Sequence, residues 1–254
     1  MAKIISIFNQ KGGVGKTTTA VNLSAAVGNL GKKVLVVDID QQGNTTSGYG
    51  INKRELKASS YNLLTGSIEP EATVIKTKFK NIDIIPSSRD MAGAEVELIG
   101  KEHREAMLKK ALAKLDDKYD YIFIDCPPSI GLVSINGLVA CDSFIVPMQC
   151  EYLSMEGLSQ LMVSVREVKR LYNPNLDLEG IVLTMYDGRL NLTQQVVAEV
   201  KKYFAKQLYS TAIPRSVRVS EAPSYGMPVQ YYDPKGKGSA AYNALAKEFL
   251  KRNR

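Results

Sequence analysis

Residues 11–17 of this 254-residue chain read Lys11-Gly12-Gly13-Val14-Gly15-Lys16-Thr17. An apolar run at residues 4–8 comes before them and predicts a β-strand, while the pattern at residues 17–30 predicts a helix. Glycines in such a turn let successive backbone N–H groups point into one concavity, where the helix N-terminus also favours negative charge. A strand, a glycine-rich turn and a helix, in this order, indicate a loop that binds phosphate groups.

The segments around this loop predict an α/β fold. Short β-branched runs alternate with helical patterns, and several runs are apolar almost throughout, as is typical of parallel strands covered on both faces. The predicted strands cover residues 4–8, 34–38, 82–85, 121–125, 144–147, 181–185 and 209–213. The predicted helices cover residues 17–30, 102–115, 158–171, 193–206 and 240–252. We therefore predict a P-loop NTPase fold, with a mostly parallel twisted β-sheet and helices on both faces, in a single domain over residues 1–254. Residues 43–70 are the least regular part, and we expect small helices or a mobile loop there.

Each residue of the loop has a predicted role in binding ATP and Mg²⁺. The loop backbone is expected to approach the phosphates closely, and the residues that contribute it are Gly12, Gly13, Val14 and Gly15. Lys16 is expected to reach the β- and γ-phosphates. The Thr17 hydroxyl is expected to bind Mg²⁺, and Thr18 is expected to help hold the α-phosphate.

One position departs from the usual phosphate-loop pattern. Gln10 stands where the first glycine is normally found, and an additional lysine, Lys11, follows it. A second cation near the γ-phosphate would stabilise the charge of the transition state, as an arginine finger does. Lys11 can fulfil this role in its own site or in the site of a neighbouring chain, and the residues alone leave both alternatives open.

Carboxylates are predicted at the ends of two strands beside the loop. Asp125 ends the strand at residues 121–125, and this is the place where a Walker B carboxylate holds Mg²⁺ directly or through water. Asp38 ends the strand at residues 34–38, and Asp40 follows in a polar, turn-like run. We predict that Asp40 orients the attacking water and that Asp38 has a supporting role near Mg²⁺. The alternative that both are ordinary turn carboxylates stays open.

The net charge of the chain is concentrated in its last part. Residues 186–254 contain 12 Lys and Arg against 5 Asp and Glu, whereas residues 1–185 contain 21 of each. The whole excess of +7 therefore lies C-terminal to residue 185. Such a segment indicates an anionic polymer or an anionic membrane as partner, or else a solvated basic face.

The remaining composition excludes several classes of protein. No apolar stretch reaches the roughly 18 residues that a membrane span requires, and the N-terminus lacks the pattern of a signal peptide. Cys126, Cys141 and Cys150 show no spacing typical of a zinc site or a disulfide framework. We interpret them as reduced thiols in a cytoplasmic protein.

At this level of detail the sequence resembles a known family. Residues 11–18 resemble the deviant Walker A motif of the ParA/MinD group, residues 125–129 resemble its Walker B motif, and residues 38–40 its Walker A′ segment. Residues 149–152 and 214–224 resemble segments of the ParA/Soj chromosome-partitioning ATPases. The similarity runs from residue 1 to about residue 250. The family often has proline where this chain has Gln41, so the conformation of that loop need not follow the family pattern.

The resemblance implies a cycle of dimerisation and DNA binding. ATP would form a homodimer in which Lys11 crosses to the partner's nucleotide and Gly12 lies at the interface. The dimer would bind double-stranded DNA without sequence preference in the nucleoid, and a ParB-type partner would stimulate slow ATP hydrolysis. Further nucleotide contacts implied by the family are Met185, Pro214, Arg215 and Val217. The implied DNA contact is Arg189, and the basic excess adds Arg218, Lys235 and Lys237 as candidates.

Three alternative readings remain. A membrane-cycling ATPase of the MinD type, which acts in division-site placement, would need an amphipathic membrane helix beyond the fold, whereas we expect the helix at residues 240–252 to belong to the core. No stable membrane association is therefore expected. An iron–sulfur reductase of the nitrogenase iron-protein type would need cysteines on interface loops. A nucleotide-gated scaffold with negligible turnover would share the site but not the hydrolysis.

Overall fold

A computed structural model describes all 254 residues and contains one seven-stranded β-sheet. The strands are β1 Lys3–Ile7, β2 Val34–Asp38, β3 Ile75–Lys76, β4 Ile82–Ile85, β5 Tyr121–Asp125, β6 Ser143–Gln149 and β7 Asp177–Thr184. Their order across the sheet is β3-β4-β2-β5-β1-β6-β7. Only the β3–β4 pair is antiparallel, and all other neighbours are parallel.

Eleven α-helices surround the sheet. They are α1 Lys16–Asn29, α2 Asn44–Gly48, α3 Ser60–Thr65, α4 Met91–Leu98, α5 Met107–Leu112, α6 Leu132–Ala140, α7 Ser154–Leu171, α8 Asn191–Phe204, α9 Val217–Glu221, α10 Val229–Tyr232 and α11 Lys237–Arg252. Short 3-10 helices cover Pro70–Thr73, Arg104–Ala106 and Ala222–Tyr225.

Alternation along the strands divides the core into two apolar layers. On β5, Ile122 and Ile124 lie in a cluster with residues of α3 to α8, whereas Tyr121 and Phe123 lie in a second cluster with α1, α9, α10 and α11. Successive side chains of a strand point to opposite faces, so both faces of the sheet are covered by helices. The predicted mostly parallel sheet with helices on both faces is confirmed.

The strand register brings the predicted site residues to one edge of the sheet. Asp125 pairs with Ile7 on β1 and with Asp38 on β2, so the carboxyl ends of these three strands lie at the same level. In open parallel sheets, ligands bind at this edge.

The predicted strand at residues 209–213 is wrong. Tyr209 and Ile213 each donate a backbone hydrogen bond to β7, but the residues between them form no ladder. The Glu248 carboxylate accepts the N–H groups of Ser210 and Thr211 at 2.8 and 2.9 Å. Because a side chain takes these donors, the segment does not become a regular strand.

Other differences concern short or fully buried elements. The predicted helix at residues 102–115 is reduced to a 3-10 turn and α5, while residues 43–70 contain the small helices α2 and α3. The sequence patterns missed β3, α4, α6, α9 and α10. As predicted, α11 belongs to the core, since Tyr242, Leu245 and Phe249 are buried. No helix has both the length and the apolar character needed to cross a membrane.

Candidate active site

The loop between β1 and α1 adopts a backbone that requires glycine at two positions. Gly13 and Gly15 have φ values of +75° and +89°, in the left-handed region that other residues rarely adopt. Gly15 directly precedes α1, so the free N–H groups of the first helical turn face the end of the loop. A Cβ at Gly12 would meet no atom within 4 Å, so this glycine lies at an open surface.

Two side chains from neighbouring strands hold the carbonyl groups of the loop. The Gln149 amide at the end of β6 donates to the Gly13 carbonyl at 2.7 Å, and the Thr184 hydroxyl at the end of β7 donates to the Val14 carbonyl at 2.8 Å. Sequence reasoning did not identify either role. Each residue ends a strand at the carboxyl edge of the sheet, which is the only signal for Thr184, whereas Gln149 also begins the segment 149–152 that resembles the family.

Lys16 is buried at the centre of the loop. Its side chain is enclosed, with 7% of the residue exposed, and its ammonium donates to the Lys11 carbonyl at 3.1 Å. Burial lowers the pKa of Lys16, and the nearby Asp125 and Asp40 carboxylates oppose this effect. A buried ammonium group at the N-terminus of a helix is suited to bind a phosphate oxygen.

Lys11 points away from the loop that contains it. Its Nζ forms an ion pair with a carboxylate oxygen of Glu151, and 40% of the Lys11 side chain is exposed. Of the two sequence alternatives, the structure shows Lys11 directed outward and not into its own loop. Sequence reasoning did not identify Glu151 as its partner.

Asp125 has the geometry expected of a cation ligand. Its Oδ2 accepts hydrogen bonds from the hydroxyls of Thr17 and Thr45, both at 2.8 Å, while its buried Oδ1 has no partner. Burial raises the pKa of Asp125 to about 8, and the Asp38 charge adds to the effect. Unpaired buried acceptors are rare, and a Mg²⁺ ion would satisfy this one. The chain has no group of three His, Cys, Asp or Glu side chains that could hold a metal, so a cation here needs water or phosphate ligands as well.

The two carboxylates after β2 have different surroundings. The Oδ2 of Asp38 accepts the backbone N–H and the hydroxyl of Thr46 at 2.8 and 2.7 Å, and burial raises its pKa to about 6. Asp40 accepts the Gln42 N–H at 3.0 Å with Oδ1, and its Oδ2 accepts no hydrogen bond from the protein. Asp40 therefore has a carboxylate oxygen available near Lys16, whereas Asp38 mainly holds α2.

A cavity of about 390 Å³ opens beside Gly15 and Thr18. Its walls contain all four of the further nucleotide contacts that the family resemblance implies, which are Met185, Pro214, Arg215 and Val217. The Tyr186 N–H donates to the Ile213 carbonyl at 2.9 Å, which joins the two segments that form these walls. The cavity adjoins the phosphate loop, so a nucleotide bound in the loop could place its base and sugar here.

Comparisons with known proteins agree with this geometry. Residues 2–178 match the family model described as an AAA domain. The sporulation initiation inhibitor protein Soj of Bacillus subtilis (strain 168) is 52% identical over 248 residues, which cover 98% of this chain and 98% of that protein. The chromosome-partitioning ATPase Soj of Treponema pallidum (strain Nichols) is 45% identical over 100% of this chain and 99% of its own. The chain belongs to the ParA/Soj family of chromosome-partitioning ATPases.

A solved structure supports the family fold. The cobyrinic acid a,c-diamide synthase of Mycobacterium smegmatis, crystallised with a bound ATP analog and magnesium, aligns with a TM-score of 0.87 and 36% identity. The alignment covers 99% of this ParA/Soj-family chain and 95% of that protein.

The four predicted DNA-contacting residues of this ParA/Soj-family chain lie in two places. Arg189 follows β7, is 89% exposed at its side chain, and pairs with Asp187 through two nitrogens at 2.9 and 2.6 Å. Arg218 lies on α9, while Lys235 and Lys237 are exposed at the start of α11. The side chain of Val219 packs against Gly238, so α9 contacts the start of α11, and we call the surface that carries Arg218, Lys235 and Lys237 the Arg218 face. Arg189 contacts none of these three residues.

The cysteines of the ParA/Soj-family chain are not arranged as ligands of an iron–sulfur cluster. Cys126 and Cys141 are buried and Cys150 is half-buried. Burial raises the pKa of Cys141 to about 12, which disfavours the thiolate that iron would need. The geometry of these cysteines therefore argues against an iron–sulfur reductase.

Proposed function

We propose that this chain binds and hydrolyses ATP with Mg²⁺, and that its ATP-bound dimer binds DNA and partitions chromosomes or plasmids with a ParB-type partner. The observation that carries the proposal is the pairing of a left-handed glycine loop with the buried, unpaired Oδ1 of Asp125. The ATP analog and magnesium in the related mycobacterial structure support it. We further propose that residues 1–254 act as a single domain in the nucleoid region of the cytoplasm.

The proposed chemistry assigns one task to each polar side chain. Lys16 and the loop N–H groups, including those of Gly12, bind the phosphates, and Thr17 with Asp125 holds the metal. Bound Mg²⁺ would neutralise charge on the β- and γ-phosphates. Asp40 orients the attacking water through its unpaired Oδ2, while Asp38 keeps α2 and the Asp40 loop in place. Single-turnover kinetics, measured with and without the partner, distinguish partner-stimulated ATP hydrolysis from a scaffold that binds ATP with negligible turnover.

Lys11 supports the proposed dimer. Its ion pair with Glu151 is exposed on both sides, with 40% and 52% of the two side chains accessible, and exposed pairs contribute only about 0–1 kcal/mol. Such a pair is readily exchanged for a phosphate. Gly12 beside it offers an open surface that a second copy can approach closely.

Replacement of Lys11 by alanine is expected to abolish the ATP-dependent dimer and reduce hydrolysis about 100-fold, while ATP binding stays within about threefold of wild type. The reason is that Lys11 completes a neighbouring site and not its own. Analytical ultracentrifugation with ATP measures the dimer, and a filter assay measures binding. Lys76→Ala, at the exposed sheet edge, is the control. A Lys11→Ala protein that dimerises normally would contradict the role.

Replacement of Arg189 by glutamate is expected to remove DNA binding in the presence of ATP without loss of the dimer. The side chain is almost fully exposed, and a reversed charge repels phosphate. Each lost phosphate contact should lower the slope of log affinity against log salt by about one. Arg170→Glu is a matched control, because Arg170 is also an exposed arginine paired with a nearby acid, Glu167. Unchanged binding would move the proposed interface to the face formed by Arg218, Lys235 and Lys237.

The MinD-type alternative predicts vesicle binding in place of DNA binding. The apolar side of α11 is occupied by the core, which supports our proposal that the chain makes no stable membrane association. Co-sedimentation with anionic vesicles and with DNA, each in the presence of ATP, tests the two alternatives directly.

A further inference from the structure

Two glycines from distant parts of the chain bring backbone against backbone near the candidate active site. Gly50 follows α2, and Gly226 ends the 3-10 helix Ala222–Tyr225; their φ values are +73° and +61°. A Cβ at position 226 would lie 2.5 Å from the Gly50 Cα, and one at position 50 would lie 2.9 Å from the Gly226 carbonyl oxygen. Both the backbone conformation and the space therefore require glycine at this contact.

On one side of the contact, α2 is fixed to the carboxylates of the site. The Thr45 hydroxyl donates to the same Asp125 oxygen that accepts the Thr17 hydroxyl, and Thr46 donates twice to Asp38. Helix α2 is only five residues long, so Thr45 lies roughly 7 Å from Gly50 along the direction of the helix axis. Any change in how Asp125 uses its oxygens thus acts on the segment that ends at Gly50.

On the other side, the segment that ends at Gly226 joins a cluster of two tyrosines and an ion pair that contains Arg218. Tyr225 stacks on Tyr232 with 4.8 Å between ring centroids. The Tyr232 hydroxyl donates to Glu221 at 3.1 Å, and Arg218 lies over the Tyr232 ring at 5.9 Å and pairs with Glu221. A shift of Tyr225 therefore moves the ring against which Arg218 rests.

We propose that the Gly50–Gly226 contact transmits the occupancy of the phosphate loop to the Arg218 face, so that ATP with Mg²⁺ controls DNA affinity through it. The proposal rests on the DNA binding proposed above. Thr17 is needed both by the bound cation and by Asp125, so cation binding redistributes the hydrogen bonds of Asp125 and with them the position of Thr45. Coupling of this kind is reciprocal, and DNA would raise the affinity for ATP by the same factor that ATP raises the affinity for DNA.

The test is the ratio of DNA affinities measured with ATP and with ADP at one salt concentration. Gly226→Ala separates the two segments, and we expect its ratio to fall by about fivefold or more from the wild-type value, while the ATP-bound dimer, measured in the same samples, persists. Gly31→Ala is the matched control: its φ is +94°, but a Cβ there meets no atom within 4 Å, so it adds the backbone strain without the contact. We expect Gly31→Ala to keep the wild-type ratio. A wild-type ratio in Gly226→Ala overturns the proposal.

A second measurement on the wild-type protein covers the case in which Gly226→Ala does not fold. Amide hydrogen exchange at residues 44–50 and 222–226 is expected to slow together when ATP and Mg²⁺ are added. A response at residues 44–50 without one at residues 222–226 overturns the coupling. If the wild-type protein binds DNA in no nucleotide state, the proposed function fails instead, and hydrogen exchange still decides whether the two segments are coupled.

Discussion

Replacement of Lys16 by alanine is expected to lower the affinity for ATP with Mg²⁺ by at least about 100-fold. Lys16 is proposed to bind both the β- and γ-phosphates, and charge-assisted hydrogen bonds contribute roughly 1.5–3 kcal/mol each, while about 1.4 kcal/mol corresponds to tenfold. The Lys16 ammonium lies at the centre of the loop and donates there only to the Lys11 carbonyl, so it is available to the phosphates. Isothermal titration with a slowly hydrolysed ATP analogue measures the loss.

The matched control for Lys16→Ala is Lys11→Ala, which removes the other lysine of the same loop. Because Lys11 points to Glu151, its loss should leave the affinity of a single chain nearly unchanged. Thermal unfolding of both variants verifies that the loop remains folded, since Lys16 is buried and its removal leaves a cavity. Equal affinities for wild type and Lys16→Ala would refute the assignment of the phosphate site.

Replacement of Asp40 by alanine is expected to reduce ATP hydrolysis by about 10²–10³-fold and to leave ATP binding intact, since positioned acid–base groups contribute effects of this size. The ATP-bound dimer should then accumulate. Asp40 qualifies because one of its oxygens is free of protein partners and the residue lies near Lys16. Phosphate release under single-turnover conditions measures the rate, and ultracentrifugation measures the dimer.

Asp40→Asn refines this test. Its side-chain oxygen can still accept the Gln42 N–H, so the loop should keep its conformation while the charge is lost. A slow Asp40→Asn protein would assign the effect to the carboxylate charge, whereas a fast one would assign it to loop geometry. Wild-type turnover in Asp40→Ala would remove Asp40 from the mechanism.

The fold could be predicted from sequence where the signal is local. The strands at β2, β4 and β5 are short β-branched runs, and their bounds match the prediction. Helix α6 was not predicted, because it is buried nearly all round, as Val133, Leu138 and Val139 show. It therefore has no polar face to produce a periodic pattern. Strand β3 has only two residues, which is too short for any pattern.

The candidate site could be predicted where motif and strand end coincide. The loop residues and Asp125 follow this rule. The four further nucleotide contacts that the family implies all line the cavity beside Gly15. Thr45 could not be found in this way, because its hydrogen bond to Asp125 joins residues 80 positions apart. The partner of Lys11 is likewise 140 positions away, and no local pattern records such a pair.

The hydrogen bonds from Gln149 and Thr184 to the loop carbonyls orient two peptide planes of the loop. A peptide unit whose oxygen is held toward one strand must turn its next N–H to the opposite side, so the two bonds fix the dipole direction of the units that follow Gly13 and Val14. With those planes free to rotate, oxygens as well as N–H groups would face an incoming anion and repel it. Two side chains that need not touch any ligand thus keep the interior of the loop electropositive.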